Sequence, residues 1–502
     1  MQRSTSSGTW ASRAAVVLAG VVVLVGDGRA RAAAPDGASS SRPNVILAMA
    51  DDLGWGDPAY QGNRVARTPN LDAMARAGLR FNRFYAQAPV CSPTRGSCLT
   101  GRHPFRYGVF FANTGHLPDE EITLAELLRE QGYATGHFGE WHLGTLSKTD
   151  PSRNRGRGAV VVEHFSPPWQ NGFDVAFSTE AKVPTWDPMI GPAKFAAWWD
   201  PIADAARATP FREPYRHEDG SPATENLDGD DSRVLVDRVL PFVGGAAERG
   251  KPFFAVVWFH APHLPVVSGP QYTRLYAHQD KYAQHYFGCI TALDEQIGRL
   301  RAELRRLGVA ENTMFWFCSD NGPEGHEGKA PGSAGPLRGR KRSLFEGGIR
   351  VPGILEWPAR VKPGSQTDVP ATTSDYLPTV LDALGLEMPN ARPLDGVSLM
   401  PVLEGRMIER PVPIGFESAG QLALVDNRYK LVRAKERGKQ PKPGEGRKKS
   451  KPDGFLLFDL IEDPGETNDL APEKPEVVER MKRRLTEWRE SCKRSLAGED
   501  YP

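Results

Sequence analysis

Asn44 to Met49 is a continuous apolar run with no alternation, the pattern of a strand buried on both faces of a mostly parallel sheet. Tyr133 to Phe138, Phe253 to Phe259 and Met314 to Cys318 read as further strands, the last two also buried. Between the strands the apolar positions take helical spacing. Thr68-Pro69-Asn70 reads as a helix start, with Thr68 as N-cap, Pro69 in the first position, Leu71, Met74 and Ala75 on one face, and Gly78 as the stop. Leu124 to Gln131 is a second helix ended by Gly132, and an amphipathic helix is expected around Ile290 to Leu307. This alternation predicts an α/β fold, a large mostly parallel central sheet sandwiched by helices. After about residue 405 the texture changes. Leu422 to Val425, Tyr429 to Val432 and Phe455 to Asp459 read as a small antiparallel sheet and Pro475 to Cys492 as a terminal helix. Residues 35–404 are therefore expected to form the main domain and 405–502 a C-terminal subdomain.

The N-terminus changes the picture of where the protein works. Arg3 and Arg13 precede an apolar run from Ala14 to Gly26, followed by small residues up to Ala34, a run too short to span a bilayer comfortably. Residues 1–34 are expected to be a signal peptide, which implies export to a periplasm or the extracellular space with no stable membrane anchor. Residues 35–42 are a polar linker. Losing Arg3, Arg13, Arg29, Arg31 and Asp27 takes the formal charge from +1 to −2. The mature chain has no global attraction to polyanions, which argues against nucleic-acid binding, so anion recognition must come from a few placed cations. The basic loop Lys435 to Lys451 reads as solvated surface. Residues 151–232 are the least regular part, and Trp169, Trp186, Trp198 and Trp199 read mostly as staples of a long insertion, with stacking on sugar rings as the other reading. The five cysteines are odd in number and lack metal-type spacing, so no disulfide framework is expected, and Cys98, Cys289 and Cys318 read as small buried residues.

Candidate chemistry gathers at strand ends. Asp51 and Asp52, His142, His263, and Asp320 with Asn321 each follow an expected strand, and open α/β sheets place their sites outside the carboxyl ends of strands. Asp51, Asp52, Asp320 and Asn321 offer only oxygen donors, a set suited to Ca²⁺, or Mg²⁺, and not to zinc. Cys91 begins Cys91-Ser92-Pro93-Thr94-Arg95-Gly96-Ser97-Cys98-Leu99-Thr100-Gly101-Arg102. A helix starting just after it and ending at Gly101 would aim free N–H groups at its side chain, with Arg95 one turn on.

The Cys-x-Pro-x-Arg run followed by Thr-Gly resembles the signature of the type I, formylglycine-dependent sulfatases of the alkaline phosphatase superfamily, among them arylsulfatases and N-acetylgalactosamine-6-sulfatase-like enzymes. Further motifs match in the same order: Asp51-Asp52, Trp141-His142-Leu143-Gly144, Pro262-His263-Leu264-Pro265, Ser319-Asp320-Asn321-Gly322, Lys341 before Glu346-Gly347-Gly348, and Asp463-Pro464-Gly465-Glu466. The resemblance implies that a maturing enzyme, such as a formylglycine-generating enzyme, oxidises Cys91. It makes Asp51, Asp52, Asp320 and Asn321 the Ca²⁺ ligands, with an oxygen of modified residue 91 as a fifth. One hydroxyl of the hydrated aldehyde, polarised by the metal and Arg95, would attack the sulfur of a sulfate ester. His263 would protonate the departing alcohol, in preference to His260, because it stands in the Pro-His-x-Pro context. His142 would draw a proton from the second hydroxyl so that elimination expels sulfate. Lys341 would bridge sulfate and leaving oxygen. A sulfated carbohydrate or small molecule is the expected substrate.

One position breaks the pattern. In the family a lysine that contacts the substrate sulfate precedes Trp-His-Leu-Gly, and here that residue is Glu140. A carboxylate about 4 Å from the sulfate would oppose it by about 4 kcal/mol at an effective dielectric near 20. Three accounts compete: Glu140 is protonated or turned away while Lys148 or Lys182 supplies the charge; the substrate carries a cation that Glu140 receives; or catalysis is impaired. The alternatives to a sulfatase are accordingly a phosphate or phosphonate ester hydrolase on the same fold, and an impaired sulfatase-like protein that binds glycan.

Overall fold

The computed structural model describes residues 42–433 and 454–501; the expected signal peptide, nearly all of the linker and the basic loop at 435–451 lie outside the described residues. Nine strands form the central sheet in the order Ser365–Thr367, Leu79–Phe81, Gly353–Glu356, Thr313–Ser319, Asn44–Ala50, Phe253–Trp258, Ala134–Glu140, Val175–Thr179 and Arg216–His217. The five strands from Thr313–Ser319 to Val175–Thr179 are parallel to their neighbours within that group, as the continuous apolar runs predict. Gly353–Glu356 and Arg216–His217 pair antiparallel at either side of them. Alternate residues of one strand enter different cores: Ile46 and Ala48 pack with the long helix Lys281–Arg306 on one face, while Val45 and Leu47 pack with Leu124 and Leu128 on the other.

The expected helices form, with two differences. Pro69–Ala77 has Thr68 at its N-cap position, but the Thr68 hydroxyl serves the Ala59 N–H and Asp72 instead of the helix end. Asp294 caps it, accepting from the Asn70 and Leu71 N–H groups at 3.0 and 2.7 Å. The long helix begins at Lys281, earlier than its apolar spacing indicates, because its first turns bury polar residues such as His285 alongside Tyr286. In the insertion, Trp186 fits against Gly269, where a Cβ would lie 2.2 Å from the indole. Trp198 stacks on Tyr282 and His285, and Trp199 is buried, so these tryptophans act as staples.

Ile414–Ser418, Gln421–Val425, Tyr429–Arg433 and Leu456–Asp459 form an antiparallel sheet in that order. Leu422, Leu424 and Leu431 meet Val477, Met481 and Leu485 of the terminal helix Pro475–Leu496. The opposite face meets Leu344 and Phe345, which precede the short Glu346–Ile349 helix, and Ile349 at its end. A fully buried ion cluster fixes this junction. Lys430 Nζ lies 2.9 Å from Glu346 Oε1 and 3.0 Å from Glu466 Oε1, and the Glu346 N–H donates to Glu466 Oε2 at 2.6 Å. Two sequence motifs far apart in the chain thus share one lysine.

Removing one partner from a buried ion cluster leaves uncompensated charge, so Lys430→Met should destabilise the protein by about 3–5 kcal/mol in urea unfolding at pH 8. Burial, only partly offset by Lys430, lifts the Glu466 carboxyl to about 7. The folded state then binds more protons than the unfolded one between the ordinary carboxyl range and pH 7. Stability from this group is present at low pH and lost as pH rises through 7. Glu466→Gln, which mimics the protonated form, should flatten that loss in unfolding curves taken from pH 4.5 to 8.

Candidate active site

Four of the five parallel strands deliver the expected residues to one place. Asp51 follows Asn44–Ala50, Asp320 follows Thr313–Ser319, Glu140 ends Ala134–Glu140, and the turn carrying His263 follows Phe253–Trp258. Backbone bonds hold the strand exits together: the Asp320 N–H donates to the Ala50 carbonyl at 3.1 Å and the Asp51 N–H to the Ala261 carbonyl at 3.0 Å. Gly322 lets this turn approach the Glu346–Ile349 segment, since a Cβ there would sit 1.9 Å from the Gly347 carbonyl oxygen.

Cys91 is the first residue of the buried helix Cys91–Thr100, which ends at Gly101 in the left-handed conformation that glycine favours. Its sulfur stands where the oxygens of an oxidised side chain would stand. Sγ is 3.4 Å from Lys341 Nζ, and Cys91, Asp51 and His263 present ligand atoms within 4.8 Å of one another. Burial, partly offset by Lys341, pushes the thiol up to about 12. The unmodified cysteine is therefore protonated and a poor nucleophile.

Arg95 is fully buried and its guanidinium is the hub of the site. Nη2 lies 2.9 Å from Asp51 Oδ2, 2.6 Å from Glu140 Oε2 and 3.1 Å from Asp320 Oδ2, while Nη1 donates to the Glu140 carbonyl at 2.9 Å. Arg95 Nη1 and Nη2 are bonded to these acceptors while its Nε has no partner, and the guanidinium acts on residue 91 through its charge and through the carboxylates. Lys341 Nζ donates to Asp52 Oδ1 at 2.5 Å, and Asn321 Nδ2 donates to the same oxygen at 2.6 Å.

Asp51, Asp52 and Asp320 bring carboxylate oxygens within 4.8 Å of one another, all buried. Asp51 Oδ1, Asp52 Oδ2 and Asn321 Oδ1 have no hydrogen-bond partner. Burial, reinforced by Asp320 and Glu140, pushes the Asp51 carboxyl well above its usual range, and burial outweighing Arg95 lifts Asp320 to about 6. With all four ionised, Asp51, Asp52, Asp320 and Glu140 carry two more charges than the Arg95 and Lys341 cations beside them cancel, an excess that one divalent cation would offset. Orphaned oxygens and unbalanced charge both fit a hard divalent ion.

His142 has a left-handed backbone, φ 56°, and its ring spans two partners. Nε2 lies 2.6 Å from Asn113 Oδ1, and Nδ1 lies 3.0 Å from Glu140 Oε1, an ion-pair distance off the hydrogen-bond line. Burial, partly offset by Glu140, lowers His142 to about 4. Asn113 carries no motif and is not identifiable from the sequence; its one signal is the Asn-Thr-Gly turn around its own left-handed φ of 61°. His263 Nδ1 is 2.7 Å from the Leu264 carbonyl, which leaves Nε2 facing Asp52 Oδ2 at 3.6 Å. His260 has both nitrogens engaged, at 2.8 Å from Asp231 Oδ2 and 2.8 Å from Thr179 Oγ1, as a structural histidine would. Burial opposes charge on Glu140, but Arg95 and His142 outweigh it and hold its carboxyl well below the usual range. The carboxylate is ionised, 1% exposed, and turned onto Arg95. Lys148 is exposed over the Phe165 ring, whereas Lys182 is half-buried.

The sulfatase family profile matches residues 43–386. Steryl-sulfatase of Rattus norvegicus is 32% identical over 420 residues, covering 73% of this chain and 71% of that protein. Arylsulfatase A of Bos taurus is 32% identical over 467 residues, covering 88% and 86%. Among solved structures, Ps i-CgsB in complex with k-i-k-neocarrahexaose superposes with a TM-score of 0.72 at 25% identity, covering 89% of this chain and 92% of that one. A profile match across most of the chain, two relatives of this extent and the same architecture make the chain a member of the sulfatase family.

Proposed function

We propose that the protein hydrolyses sulfate esters of carbohydrates outside the cytoplasm, using a formylglycine made from Cys91 and a Ca²⁺ ion held by Asp51, Asp52, Asp320, Asn321 and the modified residue. The observation that carries this reading is the juxtaposition of Cys91 Sγ with Lys341 Nζ, Asp51 and His263 at the start of a buried helix. The carbohydrate preference draws support from Ps i-CgsB, whose structure holds an oligosaccharide. Export rests on the sequence of residues 1–34. No helix among the described residues is long and apolar enough to cross a membrane.

The modification supplies a hydroxyl nucleophile and a second hydroxyl whose deprotonation releases sulfate; the ion would polarise oxygen and balance the carboxylates. The chain's own groups do the rest. Lys341, buried and drawn well above its usual range by Asp52 despite desolvation, keeps its charge beside residue 91 and faces the transferring group. His263, with its Nδ1–H on the Leu264 carbonyl, presents Nε2 to the site, and it would hand the departing alcohol oxygen a proton only from the doubly protonated ring, a form that burial opposes and the negative charge of an arriving sulfate favours. His142 is held uncharged at ordinary pH between Asn113 and Glu140, and it would take the proton of the second hydroxyl at Nε2 in exchange for the Asn113 contact. Glu140 balances Arg95 and aligns His142, and its burial leaves no room for a cationic substrate group.

Protein co-produced with a sulfatase-maturing enzyme should yield a Cys91 peptide in which one oxygen replaces sulfur and two hydrogens. It should turn over an aryl sulfate far faster than the matching phosphate ester. Cys91→Ala should abolish turnover, and His263→Ala should lower kcat/KM by about 10²–10⁴-fold. Unmodified cysteine in active protein would overturn the mechanism.

Calcium should raise the unfolding midpoint, adding about 2.7 kcal/mol at a hundredfold excess over Kd, and a chelator should reverse this. Differential scanning calorimetry of wild type and Asp320→Asn checks it; the variant should lose most of the calcium-dependent gain.

A further inference from the structure

Lys341 is bonded to Asp52 and Arg95 to three carboxylates, so none of the cations matched to the family is uncommitted. Position 140, where the family supplies a cation, holds an anion. Lys182 is half-buried, and among the described residues no carboxylate pairs with it. Its ammonium lies 5.7 Å from the centre of the exposed Phe195 ring.

Its segment is clamped beside the catalytic histidine at two points. On one side, Thr179 Oγ1 donates to the Ala181 carbonyl at 2.6 Å and lies 2.8 Å from His260 Nε2. On the other, Thr185 Oγ1 donates to the Val267 carbonyl at 2.6 Å and accepts from the Val267 N–H at 2.8 Å. Residues 179–185 are thereby laid along residues 260–267, the stretch that carries His263. Glu140 is the register partner of Thr179, so the two strand exits are neighbours.

We infer that Lys182 binds the substrate sulfate, taking over from the end of the neighbouring strand the cationic role that Glu140 cannot fill; this rests on the sulfate ester reading. The same lysine explains how the site tolerates Glu140. Glu140 is neutralised by Arg95, while Lys182 restores positive charge on the segment laid along His263. Phe195 flanks the ammonium by a cation–π contact and offers an apolar ring face beside the anion, suited to the ring of the sulfated alcohol.

Calorimetric titration of the matured, calcium-loaded protein with inorganic sulfate tests this, together with kcat and KM for an aryl sulfate. Lys182→Ala should weaken sulfate binding and raise KM by at least about tenfold, and Lys182→Arg should recover most of both. Lys148→Ala, which removes an exposed lysine outside the site, should leave both unchanged. Sulfate binding by Lys182→Ala equal to wild type would overturn the inference. So would the absence of sulfate binding by wild type, or equal losses in the Ala and Arg variants with a lowered unfolding midpoint. A wild type that binds sulfate through Lys182 without turning over the ester would contradict the sulfatase reading and leave this inference standing.

Discussion

The buried guanidinium of Arg95 is the interaction on which the site depends. Asp51, Asp320 and Glu140 come from three different strand ends, and each places a carboxylate oxygen within 3.1 Å of one Arg95 nitrogen. Without a cation at that point three buried carboxylates would repel one another and take up protons. Arg95 reaches there because the Cys91–Thr100 helix lies entirely buried under the carboxyl ends of the sheet. The helix that presents residue 91 to the substrate side therefore also anchors the ligand carboxylates from beneath.

This geometry changes the meaning of the charge reversal at position 140. A glutamate facing a sulfate would be a lesion, but Glu140 faces Arg95 and His142. Its carboxylate adds to the demand for a divalent cation and fixes one side of the imidazole, with Asn113 on the other. The consequence is a site more negative on its inner side than a lysine at 140 would make it, with anion binding moved toward the Lys182 edge.

Much of this was legible in the sequence, for physical reasons. A strand buried on both faces must be continuously apolar, so the first polar residues after it mark the sheet's carboxyl edge, and Asp51, Asp52, Asp320 and Asn321 were placed by that rule. Cys91 and Gly101 bracket the helix that forms. Contacts set by packing between distant segments were not legible. Thr68 has the right identity for a cap, yet Asp294 does the capping from 224 residues away. The sign of Glu140 is visible in the sequence, but its partner Arg95 is fixed only when sheet and helix meet. Asn113 reaches His142 from an irregular stretch without a motif, and Lys182 acquires its neighbourhood from two threonine clamps. The motifs that carry Glu346 and Glu466 stand among the site's motifs in the sequence, whereas the structure joins both through Lys430 in a buried junction.

The central claim is that Glu140 is part of the site's charge balance and of no harm to sulfate binding. The most direct measurement is kcat/KM for an aryl sulfate with matured wild type, Glu140→Gln and Glu140→Lys, each checked for formylglycine at residue 91. Loss of activity in both variants, deeper in Glu140→Lys because its ammonium would meet Arg95, is the predicted result. A Glu140→Lys protein more active than wild type would contradict the account.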